Sequence, residues 1–406
     1  MRSLYNRFKT IDSTNFLIFL SIAFASNFIF ALTSVLFSIF ATDMGFSPPE
    51  VGLAISAFTA GSLIGAPLWG KVVDKFNKRK ITLLISLLGQ ALFCLLIPLM
   101  QHLLGLVIVR FFFGFFMVAQ ALTLNELTVK IEEEERRSKE ISAINVARAA
   151  GYSLGCLLSG FLGDLHPHFS FYLGSSVVIL IFFFTFYLQE ESIKIVPFSP
   201  EENPTKHWIL QKRVALFYFS IFLRSTAVNG LSYFLPLFWK NMGQTTALIG
   251  LVIAISNLAQ LFFFPLSGKV SSRSDQMAFR SARFGLLLTI IPFLIAPFFH
   301  QGVLILLPQC ILSTSWAFFY IGTILSLRSF VPLQRQGEAL GWLEVALNLG
   351  GIAGPNIFAF SLSSFNNNFT PAFLSLSFLP LIAFFISRKN EKNLLPQSEL
   401  RRGDQS

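Results

Sequence analysis

Twelve long apolar stretches dominate this sequence and limit what the chain can fold into. A helix needs roughly 20 apolar residues to cross the hydrocarbon core of a bilayer. Hydrophobic residues make up 53% of the 406 residues and charged residues 13%, too few polar groups to cover soluble domains. We therefore predict an all-α membrane protein with twelve transmembrane helices at 15–40, 49–70, 81–100, 103–127, 140–163, 169–188, 213–238, 246–268, 283–299, 302–327, 338–362 and 369–387.

The Lys and Arg residues predict the orientation of these helices. If the N-terminus is cytoplasmic, 27 of the 31 basic residues fall in cytoplasmic tails and connections. Three more lie within predicted helices, and Lys240 alone lies in an outward connection. Because cytoplasmic loops are enriched in basic residues, both termini are predicted to be cytoplasmic. The first stretch is long and lacks a cleavage site, so we predict a retained helix rather than a signal peptide.

An internal repeat predicts two halves of the same orientation. A shift of 198 residues places Gly52, Pro67 and Gly70 on Gly250, Pro265 and Gly268. A shift of 199 residues pairs the fifth stretch with the eleventh. Folds built from parallel repeats hold their substrate near the midplane, between the halves. The predicted domains are a six-helix bundle at 1–188, a cytoplasmic linker at 189–212, a second six-helix bundle at 213–387 and a cytoplasmic tail at 388–406.

A polar motif after the second stretch identifies a family resemblance. The segment runs Gly-Lys-Val-Val-Asp-Lys-Phe-Asn-Lys-Arg-Lys over residues 70–80. It resembles the loop signature G-x-x-x-D-[RK]-x-G-[RK]-[RK] of the major facilitator superfamily, with Asn77 in place of the second glycine. The resemblance implies that Asp74 lies beside the N-terminus of the eleventh helix and that Lys78 pairs with Glu126. The implied gating residues are Gly70, Asp74, Lys75, Lys78, Arg79 and Glu126.

Two further motifs resemble those of proton-coupled members of this family. Arg110-x-x-x-Gly114 lies in the fourth stretch. A helix-5 antiporter signature is similar to the segment from Gly151 to Gly160, with Cys156 replacing its proline and Ser159 one of its glycines. The alternative is that this spacing of small residues only lets helices approach closely. We expect helix packing at Gly114, Gly151, Gly155, Gly160, Gly350 and Gly354.

Ionisable residues within the stretches are candidates for proton coupling. A charge at the bilayer centre costs at least about 2.5 kcal/mol, so such residues face a cavity or a partner. Arg110, Arg148, Arg224 and Glu344 qualify. Our hypothesis is that Glu344 binds the proton and that Arg224 or Arg148 is its counter-charge in one conformation. A static ion pair is the alternative.

Uncharged polar residues within the stretches are candidates for the substrate cavity. They rarely face lipid, although hydrogen bonds between helices explain them as well. The predicted cavity residues are Gln120, Asn145, Asn229, Tyr233, Asn257, Gln260 and Asn348. The first stretch carries no acidic residue at depth, unlike several drug exporters that the chain resembles.

These features predict a secondary transporter of the inner, cytoplasmic membrane. The preferred hypothesis is proton-coupled efflux of small amphipathic molecules or drugs. The alternative is an uptake symporter or facilitator for a sugar, amino acid, nucleoside or siderophore. The chain has no HExxH, no metal-ligand set and no nucleotide-binding loop, so we predict neither an enzyme nor a cofactor. The expected partners are a small solute, protons and lipid; nucleic acid is not expected, and a monomer suffices because both halves share one chain.

Overall fold

The structure is a computed structural model that describes residues 13–76, 79–129, 134–188, 211–328, 331 and 335–394. The side chains of residues 13–15, 73–76, 79, 124–129, 134–142 and 390–394 are outside this description. All regular secondary structure in the described ranges is helical. Helix α1 has two segments, Ser13–Ser34 and Phe37–Asp43. The others are α2 Pro48–Phe76, α3 Arg79–Leu96, α4 Leu103–Val129, α5 Glu134–Leu165, α6 Phe169–Thr185, α7 Lys212–Asn241, α8 Thr246–Ser271, α9 Asp275–Ile295, α10 Leu306–Leu327, α11 Gln336–Ser364 and α12 Phe369–Leu394.

The helices have the lengths and surfaces of membrane spans. Ten spans in the described part of the chain are long and apolar enough to cross a bilayer. Helix α6 is apolar but has only 17 residues, and α5 begins with a run of charged residues. Large apolar side chains point outward, for example Phe262 at 79% and Phe360 at 72% exposed. Lipid is the solvent that such a surface requires. The predicted all-α membrane fold is confirmed.

Helices α2, α9 and α12 extend beyond the predicted spans by more than a turn. Helix α9 begins at Asp275 rather than at residue 283, because the Ser274 hydroxyl accepts a hydrogen bond from the Met277 amide at 3.1 Å and caps the helix there. Helix α2 continues to Phe76, so most of the motif that we placed in a loop is helical. Helix α12 continues to Leu394, past the predicted limit at residue 387. Most of the predicted linker lies outside the described residues.

Both halves use the same helix pairs. Helix α1 packs along α5 as α7 packs along α11, and α2 packs along α4 as α8 packs along α10. In α5, Gly155 stands against Phe28 and Ala31 of α1; in α11, Gly354 stands against Thr226 and Gly230 of α7. The absence of a side chain at these glycines allows the backbones to approach closely. The repeat in the sequence therefore corresponds to a repeat in helix packing.

The halves touch each other near one end of the bundle, which we call the sealed end. A Cβ atom built on Gly52 would lie 2.8 Å from the Ala359 Cβ and 2.8 Å from the Pro355 carbonyl oxygen. A Cβ atom built on Gly250 would lie 2.8 Å from the Gly160 Cα. These contacts join α2 to α11 and α5 to α8, and they leave no room for side chains at the crossings.

The same helices have free space at the opposite end, which we call the open end. No heavy atom of another described residue lies within 4 Å of a Cβ built on Gly70, Gly268, Gly337 or Gly341. Gly70 follows Gly52 in α2 by 18 residues, and Gly268 follows Gly250 in α8 by 18 residues. Eighteen residues make about five helical turns, so each pair lies on one helix face. The halves therefore pack at the sealed end and separate along the same faces toward the open end.

Candidate functional site

A cavity of about 250 Å³ lies between the two halves. Helices α1 and α5 contribute residues from the first half, and α7, α8 and α10 contribute residues from the second. Its wall combines aromatic rings, amides and hydroxyls. The lining residues are Phe30, Ser34, Val35, Tyr152, Val228, Asn229, Ser232, Tyr233, Ile253, Ser256, Asn257, Gln260, Gln309, Leu312, Ser313 and Trp316. This volume is slightly below the range of about 300 to 1,000 Å³ that is usual for drug-sized ligands.

Four of the seven predicted cavity residues line this space: Asn229, Tyr233, Asn257 and Gln260. The amide of Asn229 donates to the backbone carbonyl of Ser225 at 2.9 Å. The amide of Asn257 donates across the interface between the halves to the Ser153 hydroxyl at 3.0 Å. These bonds hold both side chains in place within the cavity wall.

The other three predicted cavity residues lie elsewhere. Gln120 is fully buried within the first half, where its side chain accepts a hydrogen bond from Ser26 and donates one to Gln90 at 2.7 Å. It joins α1, α3 and α4, which is the role in helix packing that we weighed as the alternative. Asn145 is exposed on α5, and Asn348 is half-buried on α11, where its amide donates to the backbone carbonyl of Glu344 at 2.8 Å.

Glu344 lies on the face of α11 that is directed toward the first half. It precedes Gly351 by seven residues, and Gly351 stands against Thr59 of α2, with a built Cβ 3.0 Å from the Thr59 methyl group. A spacing of seven residues keeps both positions on one helix face. The Glu344 side chain is exposed, and Glu344 follows Gly341 of the open end by three residues. Glu344 is therefore placed between the contact at Gly351 and the open end.

The guanidinium of Arg224 is buried in the second half behind the cavity wall. It is 1% exposed and donates to the Thr289 hydroxyl at 3.2 Å and to the Ser315 hydroxyl at 3.3 Å. Its Cζ lies 4.2 Å from the ring centroid of Phe319 and 5.1 Å from that of Trp316. No carboxylate of the described residues pairs with Arg224, so the predicted contact with Glu344 is absent from this conformation.

Arg110 occupies a comparable position in the first half. It is fully buried, and none of its nitrogen atoms has a hydrogen-bond partner among the described residues. Its Cζ lies 4.1 Å from the ring centroid of Phe37 and 5.1 Å from that of Phe58. Cation–π contacts replace the counter-ion that a buried guanidinium usually has. Arg148 is half-buried on α5.

The predicted packing glycines lie at helix crossings. Gly114 meets the Phe58 carbonyl of α2, and Gly151 and Gly155 meet α1. Gly350 and Gly354 meet α7 in the same way. Gly160 instead crosses between the halves, with a built Cβ 2.6 Å from the carbonyl oxygen of Thr246. Among the implied gating residues, Gly70 stands in open space; Lys78 and the side chains of Asp74, Lys75, Arg79 and Glu126 lie outside the description.

A carboxylate that the sequence did not single out joins the halves at the sealed end. Asp164, at the end of α5, accepts hydrogen bonds from the Thr246 amide at 2.8 Å, the Thr246 hydroxyl at 2.6 Å and the Ala247 amide at 3.0 Å. These groups form the N-terminus of α8, where a negative charge is favoured. The Nζ of Lys240 lies 3.9 Å from the same carboxylate. We call this set of contacts the Asp164 latch.

Several residues of the cavity were also missed, among them all of its aromatic residues except Tyr233. Trp316, Phe30 and Tyr152 line it, as do Gln309 and Ser34. The predicted residues were mainly amides and charges, and aromatic residues of the same type also lie on the exposed surface, for example Phe262 and Phe360. Only helix orientation separates the two sets.

Two similar helical halves that close on one side of a central cavity define a polytopic membrane transporter. The sequence pattern described as "Major Facilitator Superfamily" matches residues 18–355. The chain therefore belongs to the major facilitator superfamily. It is a transporter of small molecules and not an enzyme.

Known proteins resemble the chain along most of its length. The multidrug resistance protein MdtG of Proteus mirabilis (strain HI4320) is 22% identical over 369 residues, which cover 83% of this chain and 86% of the relative. The crystal structure of the nucleoside transporter NupG matches with a TM-score of 0.79 at 15% identity, over 93% of this chain and 99% of that chain. A D-xylose-proton symporter matches with a TM-score of 0.72 at 15% identity, over 96% and 99%. The structural matches share the fold.

Proposed function

We propose that the chain exports small amphipathic molecules across the cytoplasmic membrane in exchange for protons. The observation that carries this proposal is a cavity between the halves that is closed on the side of the Asp164 latch. Basic residues such as Lys71, Lys269 and Arg335 lie at the open end. Because basic residues favour the cytoplasmic side, the cavity faces the cytoplasm and loads its solute there. The resemblance to a multidrug resistance protein supports the outward direction.

The direct test is transport by everted membrane vesicles that contain the full chain. In such vesicles the cytoplasmic face is outside, and an exporter accumulates solute inside. We expect dyes or drugs to accumulate when a proton gradient is imposed and to leak out when a protonophore is added. Accumulation by intact cells instead, abolished by the same protonophore, would contradict export.

Glu344 is our proposed proton-binding group. In this conformation its carboxylate is exposed on the side of the open end, so protons from the cytoplasm have access to it. Closure of α2 against α11 at that end would remove water from around Glu344. A carboxylate that alternates between a wet and a desolvated site changes its proton affinity, which is what coupling requires.

We expect Glu344→Gln to lower the rate of protonophore-sensitive transport at least about tenfold, because a neutral amide does not carry a proton. Binding of solute should change little, since Glu344 does not line the cavity. The measurement is initial uptake rate in everted vesicles beside equilibrium binding to purified protein. Glu338→Gln, an acidic residue of the same helix, is the matched control. Full proton-driven transport by Glu344→Gln would show that the coupling proton binds elsewhere.

Arg110 should be required for transport but not for folding. A buried ion without a counter-ion contributes little to stability and often destabilises a fold. We expect Arg110→Met to reach the membrane with a melting temperature equal to or above that of the wild type, and to lose proton-coupled transport. Arg110→Lys retains the charge and tests for partial rescue. A large fall in melting temperature without a specific loss of coupling would assign Arg110 a structural role.

A second candidate is uptake of a polar nutrient by symport or facilitation. The observation in its favour is the number of amides and hydroxyls in the cavity, among them Asn229, Asn257, Gln260 and Gln309. Solved structures with the same fold include a nucleoside transporter and a sugar symporter. The vesicle assay separates the two candidates by the direction of transport.

A further inference from the structure

We infer that the cavity prefers organic anions, and that Arg224 is the residue that sets this preference. The inference deepens the proposed function and rests on one part of it, that the cavity between the halves is where the solute binds. It concerns binding and not the direction of transport.

The first observation is the charge around the cavity. Among the described residues that line it, none is Asp, Glu, Lys, Arg or His. The wall therefore offers no carboxylate to a cationic solute, and a cation that enters must lose water without gaining a counter-charge. A positively charged drug is a poor fit on this ground alone.

The second observation is a buried positive charge immediately behind the wall. Trp316 lines the cavity, and the Cζ of Arg224 lies 5.1 Å from its ring centroid. The hydrogen-bond acceptors of Arg224 are two uncharged hydroxyls, Thr289 and Ser315. Its charge is therefore not neutralised by a described carboxylate, and the positive potential extends into the cavity.

The first half repeats this arrangement with Arg110. The ring of Phe58 lies 5.1 Å from the Arg110 Cζ and stacks at 5.5 Å on Phe30, which lines the cavity. Each half thus places one guanidinium behind an aromatic part of the cavity wall. Both guanidiniums make the electrostatic potential in the cavity more positive.

The expected effect follows from Coulomb's law. An atom in contact with the Trp316 ring lies about 4 Å from its centroid, and hence at most about 9 Å from Arg224. At an effective dielectric constant of about 20, unit charges at this distance change a binding constant roughly twentyfold. An anion gains this factor and a cation loses it.

The cavity also offers groups that suit an organic anion. The hydroxyl of Ser34 is buried in the wall and has no hydrogen-bond partner among the described residues, so it is available as a donor. The rings of Phe30 and Trp316 provide an apolar surface for the body of the solute. A small aromatic carboxylate matches both the charge and the surface.

The test is isothermal titration of purified full-length protein with three ligands on one ring system: 2-naphthoate, 2-naphthylmethanol and 2-naphthylmethylamine. We expect naphthoate to bind at least about tenfold more tightly than the amine at neutral pH. Arg224→Gln should weaken naphthoate binding about twentyfold and leave the alcohol within about twofold. Arg224→Lys retains the charge and should retain the preference. Arg213→Gln, an exposed position of the same helix, is the matched control.

Three results would overturn the inference: an amine bound as tightly as naphthoate by the wild type, naphthoate binding that Arg224→Gln leaves unchanged, or no measurable binding of naphthoate by the wild type. If Arg224→Gln does not fold, the wild-type series still decides whether the cavity prefers anions. Because the assay uses no proton gradient, failure of the export proposal in vesicles leaves this result unchanged.

Discussion

Gly250→Leu is expected to stop transport and to hold the chain with its sealed end open. In the present conformation a Cβ at this position would already lie 2.8 Å from the Gly160 Cα. A larger side chain can be accommodated only if α5 and α8 move apart, which separates the halves. Forcing a larger side chain into a packed contact costs about 1 to 3 kcal/mol and sometimes more. A cost of about 3 kcal/mol shifts an equilibrium between two conformations by more than about a hundredfold.

Gly268→Leu, five turns away on the same face of α8, should have the opposite effect. Gly268 has no neighbour within 4 Å among the described residues, so a leucine is accommodated in this conformation. The leucine would obstruct the movement that brings the two halves together at the open end. The two variants share a helix, a face and a side chain, and they differ only in the end that they occupy.

The measurement is access of a thiol reagent to the cavity from each side of the membrane. Ser232 lines the cavity and is exposed, so Ser232→Cys reports access when Cys94, Cys156 and Cys310 are replaced by alanine. A membrane-impermeant maleimide should label Gly250→Leu from outside and Gly268→Leu from the cytoplasmic side only. Equal labelling from both sides in both variants would contradict the idea that these glycines select the conformation.

Asp164→Ala is expected to weaken the contact between the halves at the sealed end without adding a side chain that forces them apart. The substitution removes three hydrogen bonds to the α8 N-terminus and the nearby charge pair with Lys240. Hydrogen bonds to charged groups contribute about 1.5 to 3 kcal/mol, and partial exposure of Asp164 reduces this. A net shift of about 2 kcal/mol, or roughly thirtyfold toward the conformation open to the outside, is a reasonable expectation.

Thr245→Ala is the matched control for the latch. The Thr245 hydroxyl accepts a hydrogen bond from the Leu248 amide at 3.2 Å and caps the same helix, but within its own half. Its removal should therefore lower the stability of α8 without changing the labelling of Ser232→Cys from outside. If both variants raise outside labelling equally, a frayed helix rather than a lost link between the halves is responsible.

Hydrophobic length was sufficient to predict the fold. The twelve apolar stretches correspond to helices α1 to α12 of the described ranges, because only backbone that satisfies its own hydrogen bonds is stable in lipid. Polar residues at the helix ends made the predicted helix boundaries less accurate than the predicted helices themselves. Helix α9 extends back to Asp275 and α2 forward to Phe76 through residues that are too polar for a span but are stable as a helix outside the bilayer core.

The cavity residues were predictable only in part, since a polar residue on an apolar helix can either line a cavity or form a hydrogen bond to a neighbouring helix. Asn257 lines the cavity and Gln120 joins three helices within one half, yet both are amides in apolar surroundings. Their roles depend on the rotation of each helix about its axis. The Asp164 latch could not be predicted for a different reason. The hydrogen-bond partners of Asp164 are 82 and 83 residues away in the sequence, and no sequence pattern around Asp164 identifies them.

The paired glycines of α2 and α8 also bear on how fast such a protein can work. Each helix carries a glycine at the crossing of the sealed end and another at the matching position of the open end, so closure of the open end in the proposed cycle would involve similar backbone contacts. Two closed states of similar free energy are both populated, whereas a gap of about 2.7 kcal/mol would leave one of them at about 1%. We therefore expect single methyl groups at Gly52, Gly70, Gly250 or Gly268 to change the turnover rate, and none of these glycines lines the cavity. The positions expected to set the rate of transport thus differ from those proposed to select the solute, so we expect mutations to change either property without the other.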